Sequence, residues 1–199
     1  VSIVRKLSRD SKTSQILIND QEDLKTILED FRPNIIIDLS GNYLEKEYDT
    51  LLDTNMSVPA EILKILKDMG SKCIYVFASS ASVYGLNKNK FNVSEDSSLE
   101  PNTAYGSVKL KIENLCKDYS QDFGLNVIIA RIFNVMGPHQ PKILFPAVAI
   151  EYLLSLNKKD LDKSDLIHKR YLSLFHERDF LDVRDVAKAL CLLLSEKHK

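Results

Sequence analysis

Apolar and polar positions alternate along this chain between short β-branched runs and longer stretches with helical spacing. Residues 1–7 begin as a short apolar run, and "QILIND" (15–20) predicts a strand running into a helix over 21–31, with Asp20 as its N-cap. "NIIIDLSG" (34–41) is an almost unbroken β-branched run, the pattern of a strand buried on both faces of a parallel sheet. "SVPAEILKILKDMG" (57–70) predicts a helix with Pro59 in its first turn and Gly70 just past its end. "KCIYVFASSASVYG" (72–85) predicts a second buried strand whose carboxyl end changes abruptly to small hydroxyl residues. A helix over 104–121 carries Val108, Ile112, Leu115 and Tyr119 on one face and is closed by Gly124. "LNVIIARIFN" (125–134) predicts a third buried strand. After Gly137-Pro138 come an amphipathic stretch (143–156), a charged segment (157–170), and a strand-like run entering a helix near Val183.

Strand, helix, strand, helix, strand at these spacings predicts a doubly wound α/β fold with a parallel sheet, in which ligands sit at the carboxyl ends of the strands. That rule marks Leu39 and Ser40, the 79–84 turn, and the segment after Arg131. Composition narrows the class further. With 199 residues, 44% apolar and 28% charged, the chain can bury a core of one domain or slightly more. A formal charge of −1 offers no basic stripe for nucleic acid, and no apolar run reaches the length of a membrane span. Three cysteines, Cys73, Cys116 and Cys191, lie in apolar runs without CxxC spacing, which predicts buried thiols in a reducing, cytoplasmic setting. The four histidines show no metal-ligand spacing, so no metal is expected.

Two tyrosines are followed by a lysine at the fourth position, Tyr84 with Lys88 and Tyr105 with Lys109. The first pair runs through a turn, whereas the second opens an amphipathic helix, where residues i and i+4 share a face. An ammonium beside a phenol favours the phenolate and lowers its pKa toward a range useful for acid/base work. Ser80, at the carboxyl end of the preceding strand, is placed to hold a substrate oxygen by a hydrogen bond. The alternative is a surface Tyr/Lys pair beside polar loop serines.

Taken in order, "FRPNIIIDLSG", Asn55 ahead of a helix, "FASSASVYG", "PNTAYGSVKLKIENL", "RIFNVMGPHQ" and "RDFLDVRDVAKAL" resemble the extended short-chain dehydrogenase/reductase family of sugar-nucleotide epimerases, dehydratases and reductases. The resemblance implies a Rossmann-like fold, with Tyr105 as catalytic acid/base, Lys109 binding the nicotinamide ribose, and Ser80 bridging Tyr105 and the sugar oxygen. It further implies that Asn134 touches the substrate diphosphate or sugar, that Arg178 grips the diphosphate, and that Asn55 lines the cofactor side with Leu39 and Ser40. The alternative reading makes Asn134 simply a strand end and Arg178 the ion-pair partner of Asp179 or Asp182.

Two departures from the family pattern are visible. The family opens with a strand and a glycine-rich turn for the cofactor pyrophosphate, and none of the six glycines here has that spacing. Without an initiator methionine, the chain is expected to be an internal fragment starting in the second strand, with residues 1–137 an incomplete dinucleotide-binding domain, 138–175 part of a substrate lobe, and 176–199 a returning strand and helix. The second departure is at Ala81 and Ser82, where family dehydratases carry an acidic residue; this favours 4-keto-sugar reduction or 4-epimerisation over dehydration. The "ERDFLDVRDV" segment most resembles reductases of GDP-4-keto-6-deoxy sugars. Basic residues Arg5, Lys6 and Arg9, at the end of what the resemblance makes the fold's second strand, lean toward NADP rather than NAD, with a solvated basic loop as the alternative. A nucleotide-sugar substrate and a homodimer complete what the resemblance implies. A non-catalytic scaffold that retains the fold is the rival from another class.

Overall fold

The computed structural model describes residues 2–4, 15–17, 21–45, 47–86, 93–138, 140–141, 144–156 and 178–193. Arg5, Lys6, Arg9, Asp20, Lys88, His139 and the 157–170 segment, all singled out by sequence, lie outside them. The chain divides into two units, Val1–Arg131 and Ile132–Lys199.

In the first unit, strands β1 (Ser2–Val4) and β2 (Gln15–Leu17) form a parallel pair, followed by helix α1 (Gln21–Phe31). Strands β3 (Ile35–Asp38), β4 (Ile74–Ser80) and β5 (Asn126–Ile132) then form a three-stranded sheet in that order. Helices α2 (Tyr48–Asp68) and α3 (Ala104–Phe123) make the crossovers, and β3 pairs with β4 in parallel, placing Ile36 beside Tyr75 and Asp38 beside Phe77. This is the expected alternating α/β order with parallel pairing.

The core lies on the helix side of that sheet, where Leu28, Leu51, Leu63, Leu66, Tyr75, Phe77, Val108, Ile112 and Cys116 are nearly inaccessible. The other side is more open than the sequence suggests. Ile35 and Ile37 of β3 are 37% and 36% exposed, so this strand is not buried on both faces. Period-2 alternation explains the difference: Ile36 and Asp38 point with Tyr75 and Phe77 into the helix layer, while Ile35 and Ile37 point away from it. Strand β5 is likewise only half-buried along most of its length.

Helix α2 also departs from expectation. It begins at Tyr48, which puts Asn55 and Pro59 in its interior instead of ahead of it and in its first turn. An interior proline lacks the N–H for its turn and costs about 3 kcal/mol in a helix. Here Leu51, Asn55, Pro59, Ile62, Leu63 and Leu66 form one buried stripe, and that burial outweighs the local defect.

In the second unit, β6 (Asn134–Met136) pairs in parallel with β7 (Phe180–Asp182), and helices α4 (Phe145–Leu156) and α5 (Val183–Leu192) complete the described elements. Asp182 caps α5 by accepting from the Arg184 N–H at 2.8 Å. No described helix is long and apolar enough to cross a membrane.

Candidate active site

Helix α3 is started by Thr103, whose hydroxyl accepts from the Gly106 N–H at 3.1 Å, and ended by Gly124 in the left-handed conformation, φ +67°. That start sets the phase of the helix, so Tyr105, Lys109 and Glu113 follow at steps of four along one stripe. Close approach then seats the stripe. A Cβ at Gly106 would lie 2.4 Å from the Ser82 carbonyl oxygen, so the first turn of α3 rests directly on the short 3-10 turn Ala81–Tyr84 that follows β4.

Lys109 is 3% exposed. Its ammonium donates to the Ala78 carbonyl at 2.8 Å and stands 4.6 Å from the Phe77 ring centroid and 5.8 Å from that of Tyr105. Burial pushes its pKa down, while the nearby Asp38 carboxylate acts in the opposite direction. Asp38 is itself buried and held by the Tyr75 hydroxyl at 2.7 Å and the Ser40 N–H at 2.8 Å.

Tyr105 is half-buried, and its pKa is raised, first by desolvation and then by the neighbouring Tyr43. This corrects the expectation that Lys109 lowers it. The ammonium points to the Ala78 carbonyl and the Phe77 ring, and loss of water around the phenol disfavours the phenolate. The phenol of Tyr105 is therefore neutral near pH 7. Ser80 ends β4 and caps the turn, with its hydroxyl oxygen accepting from the Ser82 hydroxyl at 2.7 Å and the Ser82 N–H at 3.2 Å. The structure thus gathers Lys109, Tyr105 and the Ser80 turn at the carboxyl end of β4.

Beside Lys109 lies the loop after β3. A Cβ on Gly41 would be 3.4 Å from the Lys109 ammonium and 3.1 Å from Asn55 Oδ1, so backbone, ammonium and amide converge there. Asn55 is buried and locks the loop: its Oδ1 accepts from the Asn42 N–H at 2.9 Å, and its Nδ2 donates to the carbonyls of Asn42 and Leu51. Leu39 is 66% exposed, and Ser40 is half-buried. This corner suits the sugar end of a dinucleotide. An ammonium has three donors, and the Ala78 carbonyl takes one of the three on Lys109, leaving two for ribose hydroxyls. Among the described residues no group of His, Cys, Asp and Glu is arranged to hold a metal ion.

The sequence reading missed a buried ionic cluster next to this site. Glu113, fully inaccessible, accepts from the Ser79 hydroxyl at 2.6 Å and from Arg131 Nε and Nη2 at 3.0 and 2.9 Å. Arg131 Nη1 donates to the Tyr84 hydroxyl at 3.1 Å and the Glu95 carbonyl at 3.0 Å, and these contacts hold the guanidinium firmly charged. One signal was present: an arginine inside the apolar run "VIIARIF" requires a buried acid, and Glu113 sits one helical turn beyond Lys109.

Asn134 and Arg178 belong to the second unit. Asn134 donates from both its backbone N–H (3.3 Å) and its Nδ2 (2.9 Å) to the Asp179 carbonyl, which brings it beside Arg178 across the β6–β7 pair. Asp182 is not the partner of Arg178, because Arg184 takes its carboxylate at 2.6 Å and draws its pKa well down.

Residues 2–199 match the family model described as the NAD dependent epimerase/dehydratase family. The chain is 35% identical over 128 residues to an uncharacterised UDP-glucose epimerase of Bacillus subtilis, covering 62% of this chain and 36% of that protein. It is 29% identical over 174 residues to GDP-6-deoxy-D-mannose reductase of Pseudomonas aeruginosa, covering 82% and 54%. Among solved structures, UDP-glucuronic acid 4-epimerase of Bacillus cereus, in complex with UDP-glucuronic acid and NAD, superposes with a TM-score of 0.72 at 25% identity, over 92% of this chain and 56% of that one. The chain therefore spans about a third to a half of the length of these two curated relatives. The match of residues 2–199 to the family model and the parallel α/β order lead to one assignment: the chain belongs to the NAD dependent epimerase/dehydratase family.

Proposed function

We propose that this protein is an NAD(P)-dependent oxidoreductase acting at C4 of a nucleotide-activated sugar, as a 4-keto-sugar reductase or a 4-epimerase. The observation that carries the reading is the burial of Lys109 between the Ala78 carbonyl and the Gly41 loop, with Tyr105 one turn away on the same stripe of α3. Lys109 and Asn55 would border the cofactor ribose, with Leu39 and Ser40 at the same strand-end corner, and Arg5 is a further proposed cofactor residue on the family resemblance alone. When bound, the nicotinamide exchanges a hydride with the sugar carbon. Tyr105, neutral in the free protein, gives its proton to the sugar oxygen in the reductive direction, and Ser80 holds that oxygen. Asn134 and Arg178 would take the substrate sugar or diphosphate, a task suited to a guanidinium fork. The Ala81–Ser82 turn carries no carboxylate, and Glu113 is committed to Arg131, which supports C4 redox chemistry over elimination of water. A cytoplasmic homodimer is part of the same reading.

The test is Tyr105→Phe in the intact protein, assayed with UDP-glucose, UDP-glucuronic acid and a GDP-4-keto-6-deoxyhexose, with NADH and NADPH for the reduction. Turnover should fall by about 10²-fold or more while the Kd of the sugar nucleotide stays within a few-fold. Undiminished turnover would remove Tyr105 from the mechanism.

A further inference from the structure

We propose that Glu113, with Ser79 and Arg131, is a positioning device that sets the distance between Ser80 and Tyr105. The inference rests on the reading of Ser80, Tyr105 and Lys109 given above, and it concerns residues that touch neither substrate nor cofactor.

Successive side chains of a strand point to opposite faces. Ser79 therefore turns into the helix layer, where its hydroxyl is bound by Glu113 at 2.6 Å, while Ser80 is left to shape the turn. Glu113 stands two turns along α3 from Tyr105, on the same stripe. Its carboxylate thus ties the strand residue next to Ser80 to the helix that carries Tyr105. Arg131 extends the tie to β5 through Glu113, to the turn through the Tyr84 hydroxyl, and to the 93–100 segment through the Glu95 carbonyl. Strand β4, the turn after it, helix α3, strand β5 and the 93–100 segment all meet at one ion pair, whose acid is fully inaccessible and whose arginine side chain is 14% exposed. Every buried side-chain polar atom among the described residues has a partner, so the cluster is complete as it stands. A satisfied cluster of this kind has one low-energy geometry, and it adjoins Ser80 through Ser79 while standing two turns from Tyr105 on the same stripe of α3.

Ser79→Ala cuts the tie to β4 and leaves the ion pair intact, whereas Ser79→Thr keeps the hydroxyl. In the intact protein with UDP-glucose, UDP-glucuronic acid and a GDP-4-keto-6-deoxyhexose, S79A should lower kcat about tenfold with KM within about twofold, and S79T should restore it. A second readout needs no turnover. In protein labelled with 13Cζ-tyrosine, the Tyr105 resonance, identified by its loss in Y105F, should shift in S79A, titrate at a different pH, and return in S79T. Should S79A fail to fold, the charge-free pair E113M/R131M, which removes the acceptor of the Ser79 hydroxyl and leaves no unpaired charge, cuts the same tie from the helix side. If wild-type protein turns over none of the probes, the proposed function fails, and the Tyr105 resonance still decides the positioning role. A folded S79A whose melting temperature drops while kcat and the Tyr105 resonance stay at wild-type values would overturn the proposal.

Discussion

Replacing Gly106 by alanine adds one methyl group where the first turn of α3 meets the turn after β4. The new carbon would stand 2.4 Å from the Ser82 carbonyl oxygen, 3.0 Å from the Ser82 carbonyl carbon and 3.1 Å from Pro101 Cβ, whereas ordinary contact begins at 3.4 Å. The obstacle is backbone, so it cannot swing aside, and helix and turn must separate by about 1 Å, the difference between 3.4 and 2.4 Å. Overpacking of this kind costs about 1–3 kcal/mol, and alanine recovers about 1 kcal/mol through its better helix propensity. A net loss of about 0–2 kcal/mol lowers Tm by only a few degrees in a chain of this size. Catalysis should suffer far more, because Tyr105 moves with the helix and Ser80 with the turn, and a 1 Å misplacement can cost about 10²-fold. Steady-state kinetics and thermal unfolding monitored by circular dichroism measure both quantities on one sample. The expected result is a kcat lowered about 10²-fold, a nearly unchanged KM and a small change in Tm. A kcat within twofold of wild type would refute the claim that this contact sets the site.

Two other consequences can be measured directly. Tyr75→Phe removes the hydroxyl that holds Asp38 at 2.7 Å inside the core, so urea unfolding should show a loss of about 1–3 kcal/mol at unchanged m-value. Burial pushes the thiol of Cys73 up to about 11 and that of Cys116 up to about 12, whereas Cys191 is exposed. A raised folded pKa stabilises fully below the unfolded value of 9.0 and less as pH climbs through the folded one, so these thiols contribute a loss of stability between pH 9 and 12. Denaturant midpoints at pH 8 and pH 10 should reveal the slope, and Cys116→Ala should flatten it. With a thiol reagent at pH 8, one thiol per folded chain should react quickly, and Cys191→Ser should abolish that reaction.

Local pattern was enough to read much of the fold. Runs such as "IYVFASS" and the Thr103 and Gly124 ends of α3 carry their geometry in residue type and spacing, and β4 and α3 fall where those signals put them. The early start of α2 was not legible, because "YDTLLDTN" has weak propensity and becomes helical only when Leu51 and Asn55 find burial against the core. Exposure of Ile35 and Ile37 was hidden for a related reason: a β-branched run says strand, but not which side receives a helix layer. At the site, the Tyr105–Lys109 spacing was readable, yet the direction of the Tyr105 shift follows from burial of its phenol and the nearby Tyr43, which spacing alone does not reveal. The Lys109 ammonium is turned to Ala78 and Phe77, about thirty residues away in sequence. Glu113 and Arg131 attracted no notice because each looks ordinary until the other is brought to it across 18 positions.

The pairing of Glu113 with Arg131 also bears on how β5 finds its place in the sheet. Its apolar run "VIIARI" would satisfy greasy contact almost equally well after sliding by one position, since isoleucine and valine are nearly interchangeable there. Such a slide turns every side chain to the opposite face, carrying the guanidinium away and stranding a carboxylate in the dry interior, a mistake worth about 3–5 kcal/mol. One charged residue in an otherwise forgiving strand thus acts as an alignment key, favouring a single register of β5 over its shifted neighbours.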